Sequence, residues 1–140
     1  MSDIQRSRAR LVAIVDDEVD IVTYLRLALE DHGYRVLTIS DSAVALEQLV
    51  ATGPDLICLD LLMPRHTGVA LYAEIVRDAS LHHCPIVIMS GLTSEEQLPA
   101  VLQRAGELPQ PACFLEKPIR IEDLLDVLRG LLGSNQGEST

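Results

Sequence analysis

The chain has 140 residues, of which 21 are Asp or Glu and 11 are Lys or Arg, so its formal net charge is −10. The length fits one domain that buries a core without disulfide or metal staples. With 48% hydrophobic and 23% charged residues, the composition is that of a globular protein. Because an acidic chain lacks the cations that displace phosphate counterions, the charge argues against binding of nucleic acid or of an anionic membrane.

The sequence shows no targeting or disulfide signature. No segment reaches the roughly 18 apolar residues that a membrane-spanning helix needs, and the apolar run Leu11–Val15 is too short for a signal peptide. Cys58, Cys84 and Cys113 form no Cys-x-x-Cys pair, which predicts neither a disulfide framework nor a zinc site. We therefore expect a cytoplasmic protein.

Five short apolar runs alternate with segments of helical spacing. The runs are predicted strands: Leu11–Val15, Tyr34–Ile39, Leu56–Leu59, Ile86–Met89 and Ala112–Leu115. Because they are not interrupted by polar residues, they are typical of strands buried on both faces. Apolar stripes predict helices around residues 21–29, 44–50, 69–76 and 121–132. This alternation indicates a parallel sheet with helices on both faces.

A further helix is expected between the last two strands. Thr93-Ser94-Glu95-Glu96 indicates a capping box. Pro99 falls inside the helix that would follow, where a proline removes a hydrogen bond and clashes with the preceding turn. The helix should therefore kink, or begin near Pro99 and be short. Residues 107–111 are expected to form an irregular loop, and residues 1–8 and 133–140 to be flexible ends around a domain at 9–132.

Four of the predicted strands end in residues that carry chemistry. They are Asp16 and Asp17 after the first strand, Asp60 after the third, Ser90 and Gly91 after the fourth, and Lys117 after the fifth. Ligands of open α/β sheets bind at the carboxyl ends of the strands. A single Asp there is most often a turn or helix-cap residue, but the coincidence at four strand ends favours a site.

The chemistry of such a site follows from its charges. Three carboxylates in one crevice repel one another unless a cation lies between them, and oxygen ligands suit Mg²⁺, for which Mn²⁺ could substitute. A divalent cation together with Lys117, the only lysine of the chain, also neutralises a phosphoryl group. One carboxylate can then carry that group as an acyl phosphate, and the Ser90 hydroxyl could donate to it. The residues predict Mg²⁺-dependent phosphoryl acceptance on an aspartate.

In combination, these motifs closely resemble the receiver domains of two-component response regulators, over roughly Ala9 to Leu132. Asp16-Asp17 resembles the acidic pair of the family. Asp60, within residues 59–64 (LDLLMP) and followed by Gly68, resembles its phospho-acceptor motif. Ser90-Gly91 resembles the family's switch hydroxyl with its small neighbour. Phe114 resembles its switch aromatic residue, and Lys117-Pro118 resembles its Lys-Pro pair. The resemblance implies a flavodoxin-like, doubly wound α/β fold, a three-layer α/β/α sandwich in which five helices cover a five-stranded parallel sheet of order 2-1-3-4-5.

The resemblance also implies how the acidic residues act. Asp60 would take a phosphoryl group from the phosphohistidine of a sensor histidine kinase or a histidine phosphotransfer protein. Asp17, Asp60 and the backbone carbonyl of Leu62 would bind Mg²⁺ directly, and Asp16 would do so mostly through water. Lys117 would pair with Asp60 and then with the phosphoryl group.

A conformational switch is implied as well. Ser90 would move toward the phosphoryl group, Phe114 would turn inward behind it, and the Lys117–Pro118 peptide bond would be cis. These changes would alter a surface that a downstream protein or a C-terminal effector recognises, and a phosphorylation-dependent homodimer is a further partner that the resemblance allows. The stretch from Ser90 to Lys117 is longer than is usual in the family, so the family's output face is not carried over.

The expected protein is a signalling module, with only self-phosphorylation and slow autodephosphorylation as activities. Whether it stands alone or forms the N-terminal part of a longer regulator stays open. A haloacid-dehalogenase-like phosphatase is one alternative, but its Asp-x-Asp signature is replaced here by Asp16-Asp17-Glu18. A flavodoxin-like electron carrier needs a phosphate loop where these acids lie. A receiver-shaped binding module that is never phosphorylated is the third alternative.

The lifetime of the acyl phosphate yields a first testable prediction. Leu62, Gly91 and Leu92 flank the phosphoryl site by resemblance, and the two leucines offer no polar group to orient an attacking water. We expect a comparatively long-lived acyl phosphate, which Leu62→Asn and Leu92→Glu should shorten. The decay of the phosphorylated protein is timed for each variant, and no acceleration in either one would contradict this explanation.

Overall fold

A computed structural model describes residues 9–61, 68–91 and 93–133 of the chain. Within these ranges five strands alternate with five helices. The strands are β1 (Leu11–Val15), β2 (Arg35–Ile39), β3 (Leu56–Asp60), β4 (Ile86–Ser90) and β5 (Cys113–Glu116). The helices are α1 (Val19–Asp31), α2 (Ser42–Thr52), α3 (Gly68–Arg77), α4 (Leu98–Arg104) and α5 (Ile121–Leu132). The expectations for residues 1–8 and 134–140, for Leu62 and for Leu92 lie outside the described residues.

All five strands form one parallel sheet in the order β2-β1-β3-β4-β5, which confirms the predicted doubly wound fold. The central strands β3 and β4 are buried along their whole length, as their unbroken apolar runs predict. The edge strands β2 and β5 are only partly buried. Three of the predicted strands differ from the observed ones by one residue at one end, and the fifth is shifted by one residue at both ends. Backbone pairing follows the register of the sheet and not the limits of the apolar run.

The helices form two layers, one on each face of the sheet. Side chains of a strand point alternately to the two faces, so Val12 and Ile14 of β1 pack with α1 and α5. Ala13 and Val15 point the other way and pack with α2, α3 and α4. Each central strand therefore contributes to two cores, and the three-layer architecture expected from the resemblance is confirmed.

Helix α4 is short and begins where a proline is tolerated. Pro99 lies in its first turn, where the missing N–H has no helical partner, so the second of the two expected outcomes is confirmed. The residues predicted for the capping box are wrong. The N–H of Gln97 donates to Ser94 Oγ at 3.3 Å and the N–H of Ser94 donates to Gln97 Oε1 at 3.0 Å, which is the Ser-x-x-Gln form of that box.

The connection from α4 to β5 is anchored to the rest of the fold. Leu108 in this connection is buried, and the hydroxyl of Tyr72 on α3 donates to the carbonyl of Pro109 at 2.6 Å. Gly106 and Glu107 both have positive φ, of 123° and 55°. The irregular loop expected at residues 107–111 is therefore packed against α3.

Gly68 brings the first turn of α3 directly against the end of β3. Its N–H donates to the carbonyl of Leu61 at 2.9 Å. A Cβ atom on Gly68 would lie 2.0 Å from the carbonyl oxygen of Asp60 and 2.5 Å from the Cα of Leu61. Because both contacts are with backbone, a side chain cannot be accommodated by a change of rotamer, and the position requires glycine.

Two glycine substitutions test this close approach. Gly68→Ala should lower the free energy of unfolding by about 1–3 kcal/mol, as expected for overpacking against backbone. Gly130→Ala is the matched control, because nothing lies within 4 Å of a Cβ at this helical position. It should raise stability by about 0.5–1 kcal/mol. Urea unfolding followed by circular dichroism measures both, and wild-type stability of Gly68→Ala would contradict the proposed contact.

Candidate phosphoryl and metal site

Backbone hydrogen bonds fix the candidate residues at the carboxyl edge of the sheet. The N–H of Asp16 donates to the carbonyl of Ile39 at 3.0 Å, which extends the pairing of β1 and β2 beyond the strand. The N–H of Lys117 donates to the carbonyl of Ser90 at 2.7 Å and extends β4 and β5 in the same way. Asp60 is the last residue of β3. The sheet itself therefore brings these residues to one place.

Three carboxylates meet at this edge. One oxygen each of Asp16, Asp17 and Asp60 lie within 4.8 Å of one another, the only such acidic group in the described part of the chain that could hold a metal ion. Asp16 and Asp60 are almost fully buried, with 0% and 2% exposure, and Asp17 is half-buried. Charges this close with so little solvent repel one another strongly, so the arrangement calls for a cation.

The side chain of Lys117 supplies one positive charge. Its Nζ lies 3.0 Å from Asp16 Oδ2 and 3.5 Å from Asp60 Oδ1. It also donates a hydrogen bond of 2.5 Å to Oε1 of Glu18. The Lys117 side chain is only 10% exposed, so these contacts are largely shielded from water.

The surroundings of Lys117 keep it charged. Burial by itself lowers the pKa of the ammonium, since it disfavours the charged form. The hydrogen bonds to Glu18 and Asp16 and the charges of Asp16 and Asp60 outweigh burial and raise the pKa to about 12. At neutral pH the site therefore holds a fixed positive charge.

Ser90, Gly91 and Phe114 lie next to this cluster along the chain. Ser90 is buried, and its Oγ accepts a hydrogen bond from the N–H of Thr93 at 2.9 Å. A Cβ on Gly91 would lie 3.7 Å from the Cβ of Lys117, so a small residue fits beside the lysine. Phe114 is half-buried and packs against the core shared by α2, α3 and α4.

The structure thus brings Asp16, Asp17, Asp60 and Lys117 together, as the strand ends predict. The Lys117–Pro118 peptide bond is cis, as expected. Glu18 is the contact that sequence reasoning missed. The only sequence feature that could have pointed to Glu18 is its position directly after the acidic pair. Nothing in the sequence indicates that its side chain contacts a residue 99 positions away.

Comparison with known proteins agrees with this geometry. The model of the response regulator receiver domain matches residues 12–129. The chain belongs to the response regulator receiver family. The chemotaxis protein CheY4 of Vibrio cholerae has a similar structure, with a TM-score of 0.76 and 28% identity over 89% of this chain and 99% of that one. The signal receiver domain of a histidine kinase from Syntrophus aciditrophicus is also similar, with a TM-score of 0.75 and 27% identity. This match covers 89% of this chain and 90% of that one.

Longer response regulators are similar in sequence. The alkaline phosphatase synthesis transcriptional regulatory protein PhoP of Bacillus subtilis is 34% identical over 84 residues, which are 60% of this receiver chain and 34% of PhoP. The response regulator MprA of Mycobacterium ulcerans is 29% identical over 121 residues, 86% of this chain and 49% of MprA. The receiver chain thus spans about a third to a half of these relatives. In its described ranges, none of its helices has the length and apolar character to cross a membrane.

Removal of the ammonium tests its role at the site. Lys117→Met should lower the free energy of unfolding by about 3 kcal/mol at neutral pH, because it leaves buried carboxylates without their cation. Millimolar Mg²⁺ should restore part of this loss, since a ligand that binds only the folded state stabilises it. Thermal unfolding with and without Mg²⁺ measures both effects.

Arg129→Met is the matched control for this experiment. Arg129 makes an ion pair with Asp126 at 3.3 Å on the exposed surface of α5, so its removal should change stability by less than about 1 kcal/mol. An equal loss in the two variants would contradict the special position of Lys117.

Proposed function

We propose that Asp60 is the phospho-acceptor of this receiver domain and that Asp16, Asp17, Ser90 and Lys117 assist the transfer. The observation that supports this most is the meeting of three carboxylates and the one lysine of the chain at the carboxyl edge of the sheet. Such an arrangement combines an oxygen nucleophile with the positive charge that a transferred phosphoryl group requires.

The proposed reaction moves a phosphoryl group from a phosphohistidine to Asp60. A carboxylate oxygen of Asp60 forms a bond to phosphorus while the phosphorus–nitrogen bond of the donor breaks. The electron pair of that bond stays with the imidazole nitrogen, which takes up a proton. Lys117, held 3.5 Å from Asp60, remains as the counter-charge for the new acyl phosphate.

The acidic cluster also fits a hard divalent cation. The side chains it offers are all carboxylates, whose oxygens suit Mg²⁺, and Mn²⁺ has similar preferences. The ion, when bound, neutralises charge on the phosphoryl oxygens. In this proposal Asp17 and Asp60 hold it directly, together with the backbone carbonyl of Leu62, which lies outside the described residues, and Asp16 contributes mostly through water.

Phosphorylation is proposed to switch a surface through Ser90 and Phe114. Ser90 would follow the phosphoryl group, and the half-buried Phe114 would turn inward behind it, so that a local change of charge biases two states of the domain. Phe114 and Lys117 are joined by only two residues, which supports this link. A slow autodephosphorylation would reset the switch.

The proposed phosphodonor is a sensor histidine kinase or a histidine phosphotransfer protein. The output is a downstream protein or an effector joined to the domain. The similar proteins include one named for transcriptional regulation and one named for chemotaxis, so the resemblance does not select between these outputs. Three free cysteines are in keeping with a reducing cytoplasm. The phosphatase and electron-carrier alternatives are not favoured by the family match.

Labelling by a small phosphodonor tests the proposed acceptor. The wild-type protein, incubated with Mg²⁺ and acetyl phosphate, should gain the mass of one phosphoryl group, and Asp60→Asn should gain none. Asp41→Asn is the matched control, because Asp41 follows β2 but caps α2 through the N–H of Ala43; it should label like wild type. A wild-type protein that binds Mg²⁺ without labelling would favour the unphosphorylated binding module.

A further inference from the structure

Glu18 is the nearest partner of the Lys117 ammonium, although it lies outside the acidic cluster. Its Oε1 is 2.5 Å from Nζ, against 3.0 Å for Asp16 and 3.5 Å for Asp60. The Glu18 side chain is 54% exposed, whereas both aspartates are buried. The lysine is thus held most closely by a carboxylate at the rim of the site.

The main chain of Glu18 is fixed at the start of α1, while its carboxylate contacts Lys117. Glu18 is the N-cap residue of α1, and its side chain makes no capping hydrogen bond. The Glu18 main chain is held in place, since its N–H donates to Asp16 Oδ1 at 2.9 Å and its carbonyl accepts from Val22 at 3.0 Å. The position of the Glu18 side chain, in contrast, depends on its contact with Lys117.

We propose that Glu18 is a positioning residue that holds Lys117 at the rim of the unphosphorylated site and competes with the phosphoryl group for the ammonium. This inference rests on the proposed function. Lys117 lies farther from Asp60 than from either other carboxylate. In this proposal, movement of the ammonium toward a phosphoryl group on Asp60 lengthens its contact with Glu18. The Glu18 contact therefore stabilises the unphosphorylated state and slows or limits phosphorylation.

A simple charge effect has to be separated from this contact, because Glu18 could also repel an anionic phosphodonor. Glu18→Gln removes both the charge and the ion pair. Glu18→Asp keeps the charge, but its shorter side chain fits the N-cap of α1 and no longer reaches the lysine. Glu116→Gln removes an exposed carboxylate from the end of β5, next to Lys117 in sequence, and serves as the matched charge control.

The kinetic test compares these variants with the full wild-type chain, using acetyl phosphate at saturating Mg²⁺. Glu18→Gln and Glu18→Asp should both be phosphorylated about two- to five-fold faster, the size expected for release of one half-exposed ion pair. Glu116→Gln should match the wild type. Acceleration in Glu18→Gln and Glu116→Gln, with none in Glu18→Asp, would show repulsion of the donor and overturn the positioning role.

The single lysine provides a readout that needs no phosphodonor. Labelling with ¹⁵N,¹³C-lysine gives one ammonium signal, because Lys117 is the only lysine in the sequence. This signal should shift, and its protons should exchange faster with water, in Glu18→Gln and Glu18→Asp but not in Glu116→Gln. An unchanged signal in both Glu18 variants would overturn the pairing.

The two readouts keep this inference distinct from the proposed function. A wild-type protein that accepts no phosphoryl group overturns the proposed function, and with it any effect of Glu18 on phosphorylation. A wild-type protein that is phosphorylated, with Glu18→Gln labelled no faster, overturns only the role of Glu18.

Discussion

The site depends on one ammonium group among several carboxylates. Asp16 and Asp60 are buried side by side, and without a cation their mutual repulsion would oppose the packing of the strands that carry them. Lys117 resolves this conflict in the unphosphorylated protein. A phosphoryl group or a metal ion would redistribute the same charges, so the interaction that holds the resting site together is also the one that the proposed chemistry changes.

Most of the fold and of the acidic site could be predicted because both follow from local patterns. Unbroken apolar runs mark strands buried on both faces, and parallel strands place their carboxyl ends at one edge. Asp16, Asp60 and Lys117 could thus be assigned to one site from their positions after three runs. The observed strands differ from the predicted ones by at most one residue at an end.

The details that could not be predicted depend on side-chain reach between distant segments. Glu18 and Lys117 are 99 positions apart, and Tyr72 and Pro109 are 37 positions apart; no periodicity or propensity reports such contacts. The prediction of the residues in the capping box was wrong for a related reason. Thr93 with Glu96 and Ser94 with Gln97 both have the required spacing, and the sequence does not indicate that the second pair is the one formed.

The connection between α4 and β5 is joined to α3 by a hydrogen bond between Tyr72 and Pro109. Helix α3 contacts the backbone of Asp60 at Gly68, and its Tyr72 hydroxyl donates a hydrogen bond to the carbonyl of Pro109. The strand that follows Pro109 carries both Phe114 and Glu116, with Lys117 directly after it. Helix α3 therefore contacts both the strand that ends in Asp60 and the connection that leads into β5 and Lys117, so a displacement of this helix would reach both ends of the candidate site.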